Sequence, residues 1–214
     1  MTQSLDWARK WIQNSAVVVA DNRELLIDLD RQIGDGDHGE NLDRGFTAVI
    51  RGDGLESAES GADVLKYVAK TLLSTVGGAA GPLYGTAFLK AAQQFPDGEL
   101  DAAAVGQILT GAVQGIQARG KAEAGEKTMV DAWLPAAQAA SADGGDVVSA
   151  LEAAASAAND GAEATKPLKA TKGRASYLGE RSRGHLDPGA VSSALILRAA
   201  ADAAEEVYGD SNDG

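Results

Sequence analysis

Residues 101–118, DAAAVGQILTGAVQGIQA, decide the fold class of this chain. Apolar side chains recur there every three or four residues, which places them on one face of an α-helix. This stripe consists of Val105, Ile108, Leu109, Ala112 and Ile116. Asp101 stands just before it, where an aspartate can accept hydrogen bonds from the first free N–H groups of a helix. The stretch therefore predicts a capped, amphipathic helix.

The same periodicity extends through the rest of the chain, and no stretch alternates apolar and polar residues long enough to predict a strand. We predict about eight helices, the first capped by Ser4 and interrupted near Asp21–Asn22. They cover residues 4–29, 40–51, 60–75, 82–95, 101–118, 128–140, 147–165 and 189–207. The tail at 209–214 is expected to fray. Without an internal repeat or a linker, residues 1–214 are predicted to form a single all-α domain.

Composition excludes several classes of function. The 214 residues carry a formal net charge of −12, which leaves no basic excess for a nucleic-acid partner. The chain has no cysteine, so disulfides and cysteine-ligated metals are excluded. No apolar run approaches the roughly 20 residues of a membrane helix, and the N-terminus lacks the order of a secretory signal. We therefore expect no membrane association and a cytoplasmic location.

The segment DRQIGDGDHGEN, residues 30–41, interrupts the helical pattern with carboxylates separated by glycines. Asp30, Asp35 and Asp37 repel one another unless a cation lies between them, and hard divalent ions prefer such oxygen ligands. Glycine lets the backbone fold closely around an ion. The segment thus predicts a divalent-cation site, and the alternative is a solvated acidic turn.

Two familiar motifs do not explain this segment. Gly34, Gly36 and Gly39 spell the dinucleotide fingerprint, but no strand precedes them and the spacers include acids that repel phosphate. A calcium loop of the EF-hand type beginning at Asp35 lacks the glutamate at its twelfth position. Neither a Rossmann domain nor an EF-hand is predicted.

Three further loops break the pattern: LSTVGGAAGPLYGT (73–86), RGKAEAGEKTMVD (119–131) and KGRASYLGERSRGHLDPGA (172–190). The first ends at a new helix, whose N-terminal N–H groups suit phosphate oxygens, although a plain tight turn looks the same. In the second, Met129 suits either a purine ring or the core. The third is basic in an acidic chain, which favours contact with a phosphate over a merely solvated loop. His38 and His185 both fall in such loops, which argues against a buried structural histidine.

Together these four segments resemble the L subunit of dihydroxyacetone kinases, in the same order from about Trp11 to Ala201. The resemblance implies an eight-helix antiparallel barrel with a nucleotide at one rim. It implies two Mg²⁺ ions, with Asp30, Asp35 and Asp37 as their ligands, and ADP or ATP as the nucleotide. It further implies nucleotide contacts by a set of residues: His38, Gly39, Asn41, Ala79, Ala80, Gly120, Met129, Arg174, Asp187, Pro188 and Gly189.

Arg174 is the residue expected to face the transferring phosphoryl group. No lysine or histidine here looks placed to hold a ketone covalently, so the acceptor dihydroxyacetone is expected on a separate K subunit. A serine is frequent in the family's glycine turn, where this chain has Ala80; the missing hydroxyl is expected to cost about 1 kcal/mol of binding.

The resemblance leaves the phosphoryl donor open. A free-standing subunit of this length favours bound ADP that is recharged by a phosphoenolpyruvate-dependent phosphotransferase protein, the M subunit. Alternatives are an exchanging ATP, a different short ketose or polyol as acceptor, and a nucleotide-binding regulator of a transcription factor. A homodimer is also left open.

Overall fold

A computed structural model describes residues 2–209, and that part of the chain is helical without any strand. The elements, in chain order, are α1 (Gln3–Asp21), α2 (Arg23–Ile33), α3 (His38–Arg51), α4 (Gly54–Ser57), α5 (Gly61–Thr75), α6 (Ala80–Ala92), α7 (Ala102–Gly120), α8 (Val130–Ala142), α9 (Val147–Ala164), a 3₁₀ segment (Arg174–Ser182) and α10 (Pro188–Tyr208). Each of the eight predicted helices is present, and the all-α fold class is confirmed. The predicted fraying beyond Gly209 lies outside the described residues.

The first predicted helix is two helices, which meet at Asn22 as expected. Its predicted cap was wrong, because Thr2 and not Ser4 accepts the N–H of Leu5 through its side chain. The predicted interruption at Asp30 was also placed too early. Helix α2 continues to Ile33, because its apolar side chains keep helical spacing up to that buried residue. Asp30 therefore projects from a helix.

Other boundaries differ by a turn or less. Helix α7 includes Arg119 and Gly120, which were predicted to be loop, and it ends at Lys121 in the left-handed region with φ 51°. Asp101 caps it as predicted, through the N–H of Ala104. Helix α6 begins at Ala80, so that Pro82 lies within its first turn. The short α4 and the 3₁₀ segment were not predicted.

The long helices form a closed ring. Helices α5, α6, α7, α8, α9 and α10 each pack against the next, α10 packs against α1, and α1 returns to α5 both directly and through α3. Short connections reverse the chain between neighbours from α5 to α9, so these consecutive helices run antiparallel, and a longer segment joins α9 to α10. This arrangement is the predicted antiparallel barrel.

Aromatic side chains fill the ring where α1 meets α10. The indole N–H of Trp7 donates to the carbonyl of Ala200 at 3.0 Å, and that of Trp11 donates to Ile196 at 2.9 Å. Because the later residue of α1 pairs with the earlier residue of α10, the two helices are antiparallel. The two indoles stack with ring centroids 5.2 Å apart, and Phe88 lies against Trp11. Buried indoles with satisfied N–H groups give this seam both apolar burial and fixed register.

The loops that follow α2, α5, α7 and α9 all lie at one end of the ring, together with the first turns of α3, α6 and α10. Every segment that broke the sequence pattern is therefore at the same rim. Among the described helices, none combines the length and the apolar character needed to cross a membrane.

Candidate functional site

A cavity of about 560 Å³ opens at this rim. Its walls come from the end of α2, the first turns of α3, α6 and α10, the end of α7, the 121–129 loop, and the chain between α9 and α10. A volume of this size suits a ligand of the size of a nucleotide.

An acidic cluster, defined as Asp30, Asp35 and Asp37, lies on one wall of the cavity. One carboxylate oxygen from each residue lies within 4.8 Å of the others. Asp30 is buried, whereas the other two reach solvent. Oxygen ligands grouped at this spacing suit a hard divalent cation, so these side chains fit a magnesium site.

Backbone geometry holds the cluster together. One carboxylate oxygen of Asp30 accepts the N–H groups of Asp37 at 2.9 Å and His38 at 3.2 Å. Its other oxygen would lie 2.1 Å from a Cβ at Gly34, so only glycine permits this approach. The chain therefore turns tightly around Asp30 and brings the two later acids back beside it.

His38 is buried, and the prediction against a buried histidine was wrong. Its Nε2 lies 2.8 Å from the hydroxyl of Ser192 in α10, a residue 154 positions away. Burial lowers the pKa of the imidazole, while the nearby carboxylates of Asp30 and Asp37 oppose that shift. The imidazole is therefore tied to α10, with its side chain at the cavity wall.

The same hydroxyl network fixes the start of α6. The phenol of buried Tyr84 lies 2.7 Å from the Ser192 hydroxyl and 2.9 Å from that of Ser193. Burial raises the pKa of Tyr84 to about 12, so the phenol stays protonated. Ala79 and Ala80 line the cavity at the N-terminus of α6, one turn before Tyr84. Free N–H groups and the positive end of the helix dipole there suit an anion.

Another part of the wall, which we call the apolar wall, is lined mainly by apolar side chains. Leu83, Ile116, Ala122 and Met129 line it, and Gly120 lies at the end of α7. Met129 is almost fully buried, as the core alternative predicts, and it also lines the cavity. Contact with a purine ring stays a prediction. A flat aromatic ring fits such a surface.

The chain between the two last helices forms the outer wall; we call residues 166–187 the rim segment. Arg174 reaches from it to the acidic cluster, with one guanidinium nitrogen 3.1 Å from the carboxylate of Asp35. Asp187 ends the segment and caps α10 by accepting the N–H of Ala190 at 2.8 Å. Burial raises the pKa of Asp187 to about 7. Pro188 and Gly189, in the first turn of α10, also line the cavity.

The structure brings nearly all of the predicted site residues to this one cavity. Gly39 is the exception: it packs behind the wall, where a Cβ would lie 2.2 Å from the carbonyl oxygen of Arg23. Asn41 does line the cavity, and its amide oxygen accepts a hydrogen bond from Arg44 at 2.6 Å. Sequence reasoning missed some lining residues, chiefly Ile33, Leu83, Ile116, Arg119, Lys127 and Thr128. The apolar ones look like core residues in sequence, and Lys127 looks like an ordinary surface lysine.

Fold and site together define an all-helical domain whose rim cavity combines an acidic cluster, a helix N-terminus and an apolar wall. The DAK2 domain matches residues 32–202, and the chain belongs to that family.

Relatives of nearly equal length share this sequence. It is 45% identical over 201 residues to the ADP-binding subunit DhaL of PEP-dependent dihydroxyacetone kinase 1 from Listeria innocua, covering 93% of this chain and 96% of that one. It is 42% identical to the corresponding Escherichia coli subunit, with 92% and 95% covered.

About a third of the dihydroxyacetone kinase of C. freundii has the same fold in its solved structures. The native form aligns with a TM-score of 0.70 at 25% identity, over 91% of this chain and 34% of that one. The form in complex with AMP-PNP and Mg²⁺ aligns with a TM-score of 0.66 at 26% identity, over 91% and 33%. This chain therefore spans about a third of that kinase.

Proposed function

We propose that this chain is the ADP-binding subunit of a phosphoenolpyruvate-dependent dihydroxyacetone kinase. In this proposal it transfers a phosphoryl group from magnesium-bound nucleotide to dihydroxyacetone on a separate K subunit. The observation that carries the proposal is the acidic cluster, whose carboxylate oxygens lie within 4.8 Å of one another at a cavity of nucleotide size. Relatives that match almost end to end and bear that name support it.

The acidic cluster would hold two Mg²⁺ ions through Asp30, Asp35 and Asp37. Magnesium held there would supply positive charge that offsets the negative charge of the nucleotide's phosphates. On the chain's own side, the N-terminal N–H groups of α6 at Ala79 and Ala80 would bind phosphate oxygens. Closure of the first turn of α3 around Asp30 presets the cluster, so little reorganisation is needed on binding.

The apolar wall would bind the adenine. The absence of a side chain at Gly120 leaves room there. A Cβ added at this position would lie only 3.0 Å from the Cδ2 atom of Leu83. Met129 offers a polarisable sulfur to the ring. Asp187, Pro188 and Gly189 would close the pocket at the start of α10, and His38 and Asn41 complete its inner side.

Arg174 is the proposed catalytic residue. Its side chain is well exposed, with 69% of its surface accessible, and it faces the acidic cluster from the rim segment. A planar, permanently charged guanidinium can stabilise the charge that develops on a phosphoryl group in flight. It would act on the outer side of the cavity, where an acceptor on another protein can approach.

The decisive experiment replaces one acid. Asp35→Ala is expected to abolish binding of Mg²⁺-ADP in isothermal titration calorimetry, because a cation ligand is lost. Asp28→Ala is the matched control, since Asp28 is an exposed acid on α2 that pairs only locally, with Arg31 at 3.0 Å. Unchanged affinity for ADP in the Asp35 variant would rule the cation site out.

The phosphoryl donor needs a separate test. The favoured case is resident ADP, recharged in place by an M subunit of a phosphotransferase system. ADP that co-purifies and survives extensive dialysis would support this mode, and rapid loss would favour the alternative of exchanging ATP. The cytoplasmic location, the homodimer and the regulatory alternative stay predictions; for the last, an Arg174→Ala variant that keeps full transfer with a K subunit would favour regulation.

A further inference from the structure

Lys127 is a lysine buried inside the rim. Only 1% of its surface is exposed, and its backbone lies in the left-handed region at φ 62°. Its ammonium group donates to the carbonyl of Thr165 at 2.7 Å and to the carbonyl of His185. A buried ammonium is costly unless it is hydrogen-bonded, so these two bonds define a specific place for the side chain.

Those two carbonyls lie at the two ends of the rim segment, since Thr165 immediately precedes it and His185 is close to its last residue. Thr165 is the residue at which α9 ends, and its hydroxyl also accepts the N–H of Asp187 at 3.0 Å. The Lys127 ammonium therefore holds together the two places where the chain leaves α9 and where it enters α10. The carboxylates of Asp187 and Asp131 are the nearby charges that offset its burial.

Glu126, the preceding residue, holds the other side of the Arg174-bearing stretch. Its carboxylate accepts the hydroxyl of Thr171 at 3.1 Å and lies 3.7 Å from the ammonium of Lys172. Its backbone carbonyl accepts the N–H of Thr171 at 3.3 Å. Glu126 thus bonds to the chain before Arg174, and Lys127 bonds to the chain both before and after it.

The same loop also lines the cavity. Lys127, Thr128 and Met129 all contribute to the wall, and Asp131 fixes the loop by accepting the N–H groups of Gly125 and Thr128 at 2.5 and 2.8 Å. The wall on the apolar side of the cavity and the support of Arg174 are therefore one rigid piece of backbone.

We propose that Glu126 and Lys127 are positioning residues, which hold residues 171–185 so that Arg174 faces the acidic cluster. This inference rests on the proposed function for its effect on transfer, but the hold itself can be measured without a ligand. Neither residue needs to touch a substrate to act in this way.

The test uses Lys127→Met, which keeps the length of the side chain and removes the ammonium. Its control is Lys121→Met, because Lys121 lies in the same loop with a similar left-handed backbone but is exposed. Under native conditions, trypsin should cut Lys127→Met about tenfold faster than the parent at sites in the rim segment, namely after Lys172, Arg174, Arg181 and Arg183. Loss of a charged hydrogen bond raises the fraction of molecules in which this segment is detached and open to cleavage. The control should be cut at the parent's rate.

A second, milder variant guards against a failure of Lys127→Met to fold. Glu126→Gln should raise cleavage at Lys172 and Arg174 more than at Arg183, with Glu123→Gln as its exposed control in the same loop. Glu126 does not line the cavity, so Glu126→Gln should keep its affinity for Mg²⁺-ADP within about threefold while turnover with a K subunit falls about tenfold or more. Cleavage at the parent's rate in both would overturn the proposal, as would a rise spread evenly over the chain.

The two proposals fail differently. If the parent binds no Mg²⁺-ADP, the proposed function is wrong, yet the cleavage pattern still decides whether these residues hold the rim segment. If the parent binds and transfers normally while both variants match it in cleavage and turnover, only the positioning role is wrong.

Discussion

Arg174 and Asp35 contact each other across the mouth of the cavity, with guanidinium and carboxylate 3.1 Å apart. Both side chains are more than a third exposed, so this ion pair contributes little to the stability of the fold. Its significance is positional: it joins the rim segment to the acidic cluster. In the proposed function the Asp35 carboxylate would bind a cation instead, and the Arg174 guanidinium would contact a phosphoryl group.

Arg174→Ala is expected to separate binding from transfer. Affinity for Mg²⁺-ADP should stay within about threefold, whereas turnover with a K subunit should fall at least about a hundredfold, because a charge stabiliser of the transition state is lost. Arg181→Ala is the matched control, an exposed arginine of the same 3₁₀ segment that does not line the cavity. A loss of ADP affinity equal to the loss of turnover would contradict this role.

Ala80→Ser should strengthen nucleotide binding. Ala80 is the first residue of α6 and lines the cavity, so a hydroxyl there lies beside the proposed phosphate position. One additional neutral hydrogen bond is worth about 1 kcal/mol, or roughly fivefold in the Kd for Mg²⁺-ADP. Ala103→Ser, in the exposed first turn of α7, is the control and should leave the Kd unchanged. Weaker binding in Ala80→Ser would show that the turn has no space for a hydroxyl.

The helices and the grouping of the acids could be predicted because they depend on short-range features. The stripe in α7 fixes its face, and the glycines after Asp30 predict a tight acidic turn that the structure contains. The extent of α2 was misjudged, since the acid at position 30 was assigned to the turn although apolar Ile33 continues the helix. A carboxylate in the last turn of a helix can still accept hydrogen bonds from the loop that follows, as Asp30 does.

The fate of His38 and Lys127 could not be predicted, because their partners are distant in sequence. Ser192 lies in the last helix, and the carbonyls that bind Lys127 belong to Thr165 and His185. Nothing local distinguishes these two residues from exposed polar ones. Their burial follows from closure of the ring, which brings the end of α9 and the start of α10 beside the 121–129 loop.

Asp187 should make stability depend on pH in an unusual direction. Its pKa is about 7 in the folded chain and ordinarily 3.8, so between those values the folded protein holds a proton that the unfolded chain has lost. Stability from this group is therefore full below about pH 4 and decreases as the pH rises to about 7. Each pKa unit is worth about 1.4 kcal/mol, so the whole effect is at most about 4 kcal/mol.

Urea unfolding at several pH values between 4 and 8 would measure this dependence. Asp187→Asn keeps a side-chain oxygen to cap α10 and removes the titration. The free energy of unfolding of this variant relative to the parent should rise across that range and level off above about pH 7. A difference that stays constant with pH would show that the Asp187 carboxyl keeps an ordinary pKa.

Tyr177 is expected to contact the protein that carries the acceptor. Its side chain is 88% exposed on the 3₁₀ segment, three residues after Arg174. Tyrosine is one of the residues that most often carry the binding energy of a protein interface. An exposed tyrosine beside the proposed catalytic arginine is therefore well placed for the K subunit of the proposed reaction.

Tyr177→Ser should leave the Kd for Mg²⁺-ADP unchanged, because the ring lies outside the cavity. The KM for the K subunit should rise about tenfold or more, as for loss of an interface hot spot, with little change in kcat at saturation. Leu89→Ser is the matched control, since Leu89 is an exposed apolar residue near the far end of α6. An unchanged KM in the Tyr177 variant, or an equal rise in the control, would place the partner's binding surface elsewhere.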